Sequence, residues 1–403
     1  MRYEIISREK IINALLIALA VSAPLFARSP NANKYLLILI VIAWLVRGGV
    51  SFKIPAALPI GLYVFILLVS AAVRTNPAES FRYFAKHTVN ILMVFVVADC
   101  LRDKKTFNLA VKAFLISATV VCFLGLLQYV SAKWRFLRKP LSILGIDGFS
   151  VRITSTRRHP LVFADNIALY LPLMGAYAAY YKKAMSFAGL ALMTTALIFT
   201  YSRTPTAAVF VALVFAAILF FKKAKVIIRP VIAALIIALL AITFFKGLPV
   251  KRRLNLNLEG RQYTWQGVAE IIKKYPLFGV GQGNVYDAVS GTKLGGRVKL
   301  SHTHNTYLQI WVASGIFGLV TFLWVIYAFF KELLRRIRGW PDGSFEKYIL
   351  VGLLLGFAAE GLCGMTDDLF CRGEIYYPIY FLAGLALSRA LDASNNLKDG
   401  AAE

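Results

Sequence analysis

The stretch SHTHNTYLQIWVASGIFG, residues 301–318, carries two of the chain's four histidines, His302 and His304, where a polar loop turns into an apolar run. Three roles fit a histidine there. It can wet and cap a helix end, ligate a metal, or move a proton, because imidazole titrates near neutral pH. His304 stands just before the apolar run, with Thr303 as the expected N-cap. A helix N-terminus beside it would disfavour imidazolium and keep the base free. An H-x-H pair suits a strand, and no carboxylate or cysteine stands close in sequence to complete a metal site. Metal ligation is therefore the weakest of the three.

Two arginines have the chemistry to hold an oxyanion, since guanidinium binds phosphate oxygens bidentately and stays charged. Arg203 lies in LIFTYSRTPTAAVF, between two apolar runs with almost no loop. An arginine at such an interface either snorkels to lipid headgroups or faces a cavity where it is paired or wetted. Arg261 lies in GRQYTWQGVAEIIKKYP, where Trp265, Val268, Ile271 and Ile272 recur at helical spacing, so a helix is predicted near 261–275. Arg261 would open that helix. There it is either a solvated surface arginine or part of an anion site together with the helix end. The glycines 279, 281 and 283 follow the helix rather than opening one after a strand, which reads as a turn and not as a phosphate cradle.

Other polar groups cluster around these. Arg157, Arg158 and His159, in TSTRRHPLVFADN, precede an apolar run as a basic cluster that suits phosphate contacts. Asp367, Asp368 and Glu374, in GMTDDLFCRGE, either balance the arginines, orient His304, or are simply solvated at the surface. Cys100, Cys122, Cys363 and Cys371 show neither metal-type nor redox spacing.

The elements that must position these residues are apolar helices. Of 403 residues 59% are hydrophobic, and the mean hydropathy is +0.66. Long uncharged runs recur along the chain, so the expected fold is an all-α polytopic membrane protein forming a single integral membrane domain over 1–403. The apolar-length rule gives about twelve spans. They fall roughly at 11–27, 35–50, 55–73, 87–101, 107–131, 161–181, 185–200, 204–221, 226–246, 305–330, 346–365 and 374–390. The first run is read as a retained span rather than a cleaved signal. Basic residues such as Arg8, Lys10, Arg47, Lys104, Lys182, Lys222 and Arg335 then fall on one side together with both termini. That side is expected to be cytoplasmic.

The formal net charge is +26, with 46 Lys+Arg against 20 Asp+Glu. Two long outer loops, 132–160 and 247–304, hold much of the excess, the second between spans 9 and 10. A cationic outer surface concentrates anions, either lipid headgroups or a phosphate-bearing substrate. Nucleic acid is excluded as a partner, because no soluble basic domain accompanies the charge. A transporter would place charges at mid-membrane and repeat itself, and neither pattern is visible.

Taken together, these motifs resemble the O-antigen ligase family, within the wider group of ligases and O-antigen polymerases. In HNTYLQIWVASGIFG, His304-Asn305 is followed by Gly315 and Gly318 at the spacing of that family's histidine–glycine signature. RQYTWQGVAEIIKKYPLFGVGQG resembles the family segment before it, and YSRTPTA the family's arginine motif, departing at Ala207 where ligases usually carry leucine. The resemblance is good from Thr154 to Leu387, and mainly one of hydropathy before that.

It implies a twelve-span fold of glycosyltransferase type C character in the bacterial inner membrane, with a periplasmic active site. It implies transfer of a polysaccharide from undecaprenyl pyrophosphate to lipid A–core, without metal or other cofactor and with inversion. A polymerase or protein O-oligosaccharyltransferase would use the same donor. Carried onto this chain, Arg203 and Arg261 would bind the pyrophosphate and His304 would activate the acceptor hydroxyl. Arg157, Arg158, His159, Asn305 and Asp368 would contact substrate.

Overall fold

A computed structural model describes residues 2–25, 30–73, 77–134, 138–143, 146, 152–220, 254–292, 303–370 and 373–392. His302, Cys371 and the span expected at 226–246 lie outside these. Among the described residues all regular structure is helical. The helices are α1 (Arg2–Leu25), α2 (Pro30–Arg47), α3 (Ala57–Ala72), α4 (Pro77–Cys100), α5 (Lys104–Lys133), α6 (Arg138–Ile143) and α7 (Pro160–Tyr181). They continue as α8 (Ala184–Phe199), α9 (Arg203–Phe220), α10 (Leu254–Lys274), α11 (Val285–Ser290), α12 (Thr306–Gly339), α13 (Phe345–Cys363) and α14 (Gly373–Ala386).

Four of them, α4, α5, α7 and α12, are long and apolar enough to cross a membrane, and α3, α8 and α9 carry shorter apolar stretches. The chain is a helical membrane protein. The helix ends differ from the apolar runs. The run at 87–101 belongs to a helix that begins at Pro77, and the run at 305–330 continues to Gly339. Hydropathy stops at the first charges, whereas the backbone hydrogen bonds do not. Arg336 and Arg338 in the last turn of α12 also suit its negative end.

The helices form a bundle held by close backbone approach. A Cβ on Gly352 or Gly356 of α13 would come within 2.8 Å of Leu173 Cα or 2.4 Å of Leu169 O on α7, so the two helices run antiparallel in direct contact. The bundle has two distinct ends. At one, the buried Asp99 carboxylate accepts the Trp44 indole N–H at 2.8 Å and pairs with Arg47, Arg102 and Arg389. There too, Arg336 donates to the carbonyls of Leu387 and Ser388. At the other end, Thr306 N–H donates to Gly364 O at 2.8 Å, Ile153 N–H to Phe199 O at 3.2 Å, and Arg158 meets Glu374 at 3.5 Å. That end gathers the starts of α7, α9, α12 and α14, and with them Arg157, Arg158, His159, Arg203, His304, Asp367, Asp368 and Glu374.

The decisive local feature is a break in α12. Gly315 has φ 67° and ψ −170°, which no helix contains, so the carbonyls and amides around it lose their partners. A segment running from the end of α10 replaces them. Val280 N–H donates to Val312 O and Gly281 N–H to Ala313 O, both at 2.8 Å, while Ile316 N–H donates to Pro276 O at 2.8 Å. Ser70 of α3 adds its hydroxyl, placed 2.7 Å from Phe278 O and 2.8 Å from Ala313 O. The stretch from Pro276 to Gly281, which contains two of the three glycines read as a turn, thus forms a backbone plug.

A Cβ on Gly315 would lie 2.1 Å from Leu277 O. Gly315→Ala is therefore expected to cost about 2–4 kcal/mol, from the left-handed backbone and the forced separation of the plug. Thermal unfolding in detergent should show a correspondingly lower midpoint, whereas an unchanged midpoint would refute this account of the break.

Candidate active site at the histidine turn

The turn 303–306 leads into α12. Its N-cap is Asn305 rather than Thr303: Asn305 is extended, and its Oδ1 accepts Leu308 N–H at 2.9 Å. The correction has a simple cause. Thr303 Oγ1 donates instead to Asn305 O at 2.8 Å, which braces the turn one residue further on. The other end of the Asn305 amide donates to Met365 O at 2.9 Å. Both polar ends of Asn305 are thus engaged within the protein.

His304 takes a left-handed backbone, φ 53°. For a residue with a Cβ this costs roughly 1–2 kcal/mol, a cost usually kept where the side chain's direction matters. Its side chain is 22% exposed, and Nδ1 lies 3.6 Å from Asp367 Oδ1. A carboxylate on that side favours the proton on Nδ1, which leaves Nε2 with the free lone pair.

The acidic cluster is not solvated. Asp367, Asp368 and Glu374 are all buried, because the turn between α13 and α14 tucks under the histidine turn. Asp367 Oδ1 accepts Asp368 N–H at 3.0 Å and Asp368 Oδ1 accepts Phe370 N–H at 3.2 Å, so the carboxylates shape this turn. Thr306 clamps it to α12: its hydroxyl donates to Asp367 O at 2.9 Å and accepts Leu369 N–H at 3.0 Å. Asp368 therefore acts on the turn's own backbone, and Asp367 is the acid that faces His304.

Arg203 is the first residue of α9, exposed, directly after a tight turn in which Tyr201 has φ 50°. Arg152 holds that turn, donating to Thr200 O at 2.9 Å and Ser202 Oγ at 3.3 Å. Ile153 N–H donates to Phe199 O just before that turn, and Thr306 N–H to Gly364 O, so Arg203 and His304 both stand at the end of the bundle where α7 begins and α13 finishes.

Arg261 does not open its helix. It lies well inside α10, which begins at Leu254. The stretch LNLNLEG hid this start, because it alternates like a strand and ends in glycine. A helix-end contribution to an anion site at Arg261 is thereby removed, and its side chain lies outside the described residues.

The basic cluster before α7 is divided. Arg157 is turned into the bundle, 2% exposed, donating to Thr156 Oγ1 and, at 3.4 Å, to Asn166 Oδ1. Arg158 is exposed and pairs with Glu374, and His159 caps α7 by accepting Leu161 N–H at 3.1 Å. Of the three, Arg158 and His159 are at the surface.

Sequence reasoning missed two buried acids beneath the turn, Asp165 on α7 and Glu360 on α13. Glu360 lies in the field of Asp165 and Asp367. Both sit inside apolar runs, FADNIALY and FAAEGLCG, and an acid inside such a run is itself a signal. Glu360 also lines an apolar cavity of about 180 Å³ that descends from Thr306 between Tyr63, Phe322, Phe329 and Tyr380.

Residues 188–323 match the family model described as O-antigen ligase. The match supports an O-antigen ligase family assignment. It covers about a third of the chain, from within α8 through the Gly315 break, and so contains Arg203, Arg261, His304, Gly315 and Gly318. No curated protein matches the chain significantly. Within the matched segment, Gly315 is the break and His304 is the strained turn before it. Asp367, which faces His304, and the buried Glu360 lie outside the match.

Replacing Asn305 with alanine should cost about 1–2 kcal/mol, since it removes a helix cap and a tie to the α13–α14 turn. Asn305→Asp should retain the cap and recover roughly half of that loss. Equal unfolding midpoints for the two variants would contradict the capping geometry.

Proposed function

We propose that the protein is an O-antigen ligase. It would transfer a polysaccharide from undecaprenyl pyrophosphate to lipid A–core at the periplasmic face of the bacterial inner membrane. In this reading the chain makes twelve spans of glycosyltransferase type C character, with both termini cytoplasmic. The histidine end of the bundle then faces the periplasm. The observation that carries the reading is His304, held in a strained turn with Asp367 on its Nδ1 side, inside a segment that matches the O-antigen ligase model.

The chemistry follows from the groups present. The acceptor hydroxyl gives its proton to His304 Nε2 as its oxygen attacks the anomeric carbon. The bond from that carbon to the pyrophosphate oxygen breaks on the opposite face, so the configuration inverts. The leaving group takes the electron pair, and Arg203 and Arg261 stabilise the growing charge. Asp367 stabilises the imidazolium that forms. The lipid pyrophosphate is itself a good leaving group, so the step needs no ATP or metal. The apolar cavity below Thr306 suits part of the donor's polyprenyl chain, with the pyrophosphate at its mouth. Arg158 and His159 suit the acceptor's phosphates.

Ala207 in the arginine motif favours a second reading, an O-antigen polymerase acting on the same donor. Purified protein incubated with lipid-linked glycan and either lipid A–core or further donor separates the two. Capping of lipid A–core supports the ligase, and chain lengthening the polymerase. In that assay His304→Ala should abolish transfer while membrane insertion stays normal, and full activity would end the general-base assignment. Arg203→Lys and Arg261→Lys should each lower kcat/KM about 10-fold or more, because lysine keeps the charge but loses the bidentate fork. Normal turnover in both would mean that a simple positive charge is enough.

A further inference from the structure

The histidine turn is pinned from outside its own helix. Thr303, 1% exposed, is bonded at both of its backbone groups: its N–H donates to Gln309 Oε1 at 3.3 Å, and its carbonyl accepts the Trp265 indole N–H at 2.9 Å. That carbonyl belongs to the peptide joining Thr303 to His304. Whatever holds it sets the plane from which His304 departs into its left-handed backbone. Indole nitrogen is a donor only, so the direction of this contact is set.

Trp265 is otherwise an unexpected holder. It is 40% exposed, on the same helix as Arg261 and one turn after it. Helix α10 reaches α12 a second way, by Val268 and Ile271 packing with Val312 and Ala313 beside the break. The apolar contact seats the helix, and the indole reaches past it to a backbone atom that a merely space-filling residue would not need.

We propose that Trp265 is a positioning residue that sets the pose of His304 and couples it to the helix bearing Arg261. The consequence for turnover rests on the reading of His304 as the base. The coupling itself does not, and it is testable without turnover. Losing the indole bond frees the 303–304 peptide to rotate, which changes where the imidazole points. Arg261 and His304 thereby move as one unit, so a helix that shifts with bound donor carries the base with it.

The test is Trp265→Phe, which keeps an aromatic ring on a half-exposed position and removes only the donor. Carbethoxylation of His304 by diethyl pyrocarbonate, read residue by residue by mass spectrometry, should change in rate by about 2- to 10-fold, the factor one hydrogen bond carries. The kcat for glycan transfer should fall by a similar factor, with KM for the lipid-linked donor unchanged. Val268→Ala is the structural control: it should lower the unfolding midpoint and leave the His304 reaction rate as it was. An unaltered His304 rate in Trp265→Phe overturns the proposal, as does an equal change in Val268→Ala. Full transfer by His304→Ala would defeat the general-base reading alone, and the modification rates would still decide the role of Trp265.

Discussion

The break at Gly315 is the constraint on which the site depends. A helix interrupted inside an apolar bundle strands backbone groups with no water to satisfy them, so the interruption persists only where protein supplies the partners. Here the supply comes from Pro276 to Gly281 and from the Ser70 hydroxyl. Because that segment is the direct continuation of α10, satisfying the break also fixes α10 beside the first turns of α12. The arginine-bearing helix and the histidine turn are thus brought together by backbone hydrogen bonds. The glycine at 315 is required for its backbone, and its missing Cβ admits Leu277 O.

Above the break, the protein concentrates strain and buried charge in one small region. His304 is left-handed, Asp367 and Asp368 are buried in the adjoining turn, and Asp165, Glu360 and Arg157 lie beneath. Such groups are costly in an apolar bundle, and at the opposite end Asp99 is matched by three arginines and an indole. The contrast is informative. The Asp99 cluster is a satisfied clamp that ties helix ends together. The histidine end instead sets the Asp367 carboxylate 3.6 Å from an imidazole side chain that stays 22% exposed.

Much of this was legible in the chain alone, and the parts that were not share a cause. The apolar runs located α5, α7 and α8 closely, since hydropathy is a property of neighbouring residues. The ends of α4 and α12 were misplaced because helices continue through polar turns. The start of α10 was hidden by LNLNLEG, whose alternation imitates a strand. Asp367 could be named, but its role stayed open among three, because burial depends on which turn lies above it. Arg157, in a basic triplet that reads as a surface patch, is turned inward by the helix that follows.

By itself the sequence determined that this is a helical membrane protein, singled out His304, Arg203 and Arg261 as candidates by residue type, and set the spacing of His304 to Gly315 and Gly318. These follow from residue type and local periodicity. Only the tertiary structure decided that Gly315 is a break, that the glycines after α10 repair it, that Asp367 stands behind His304, and that Trp265 holds the peptide before it. The reason is physical: a freed carbonyl or a buried carboxylate must find its partner, and that partner can come from anywhere in the chain.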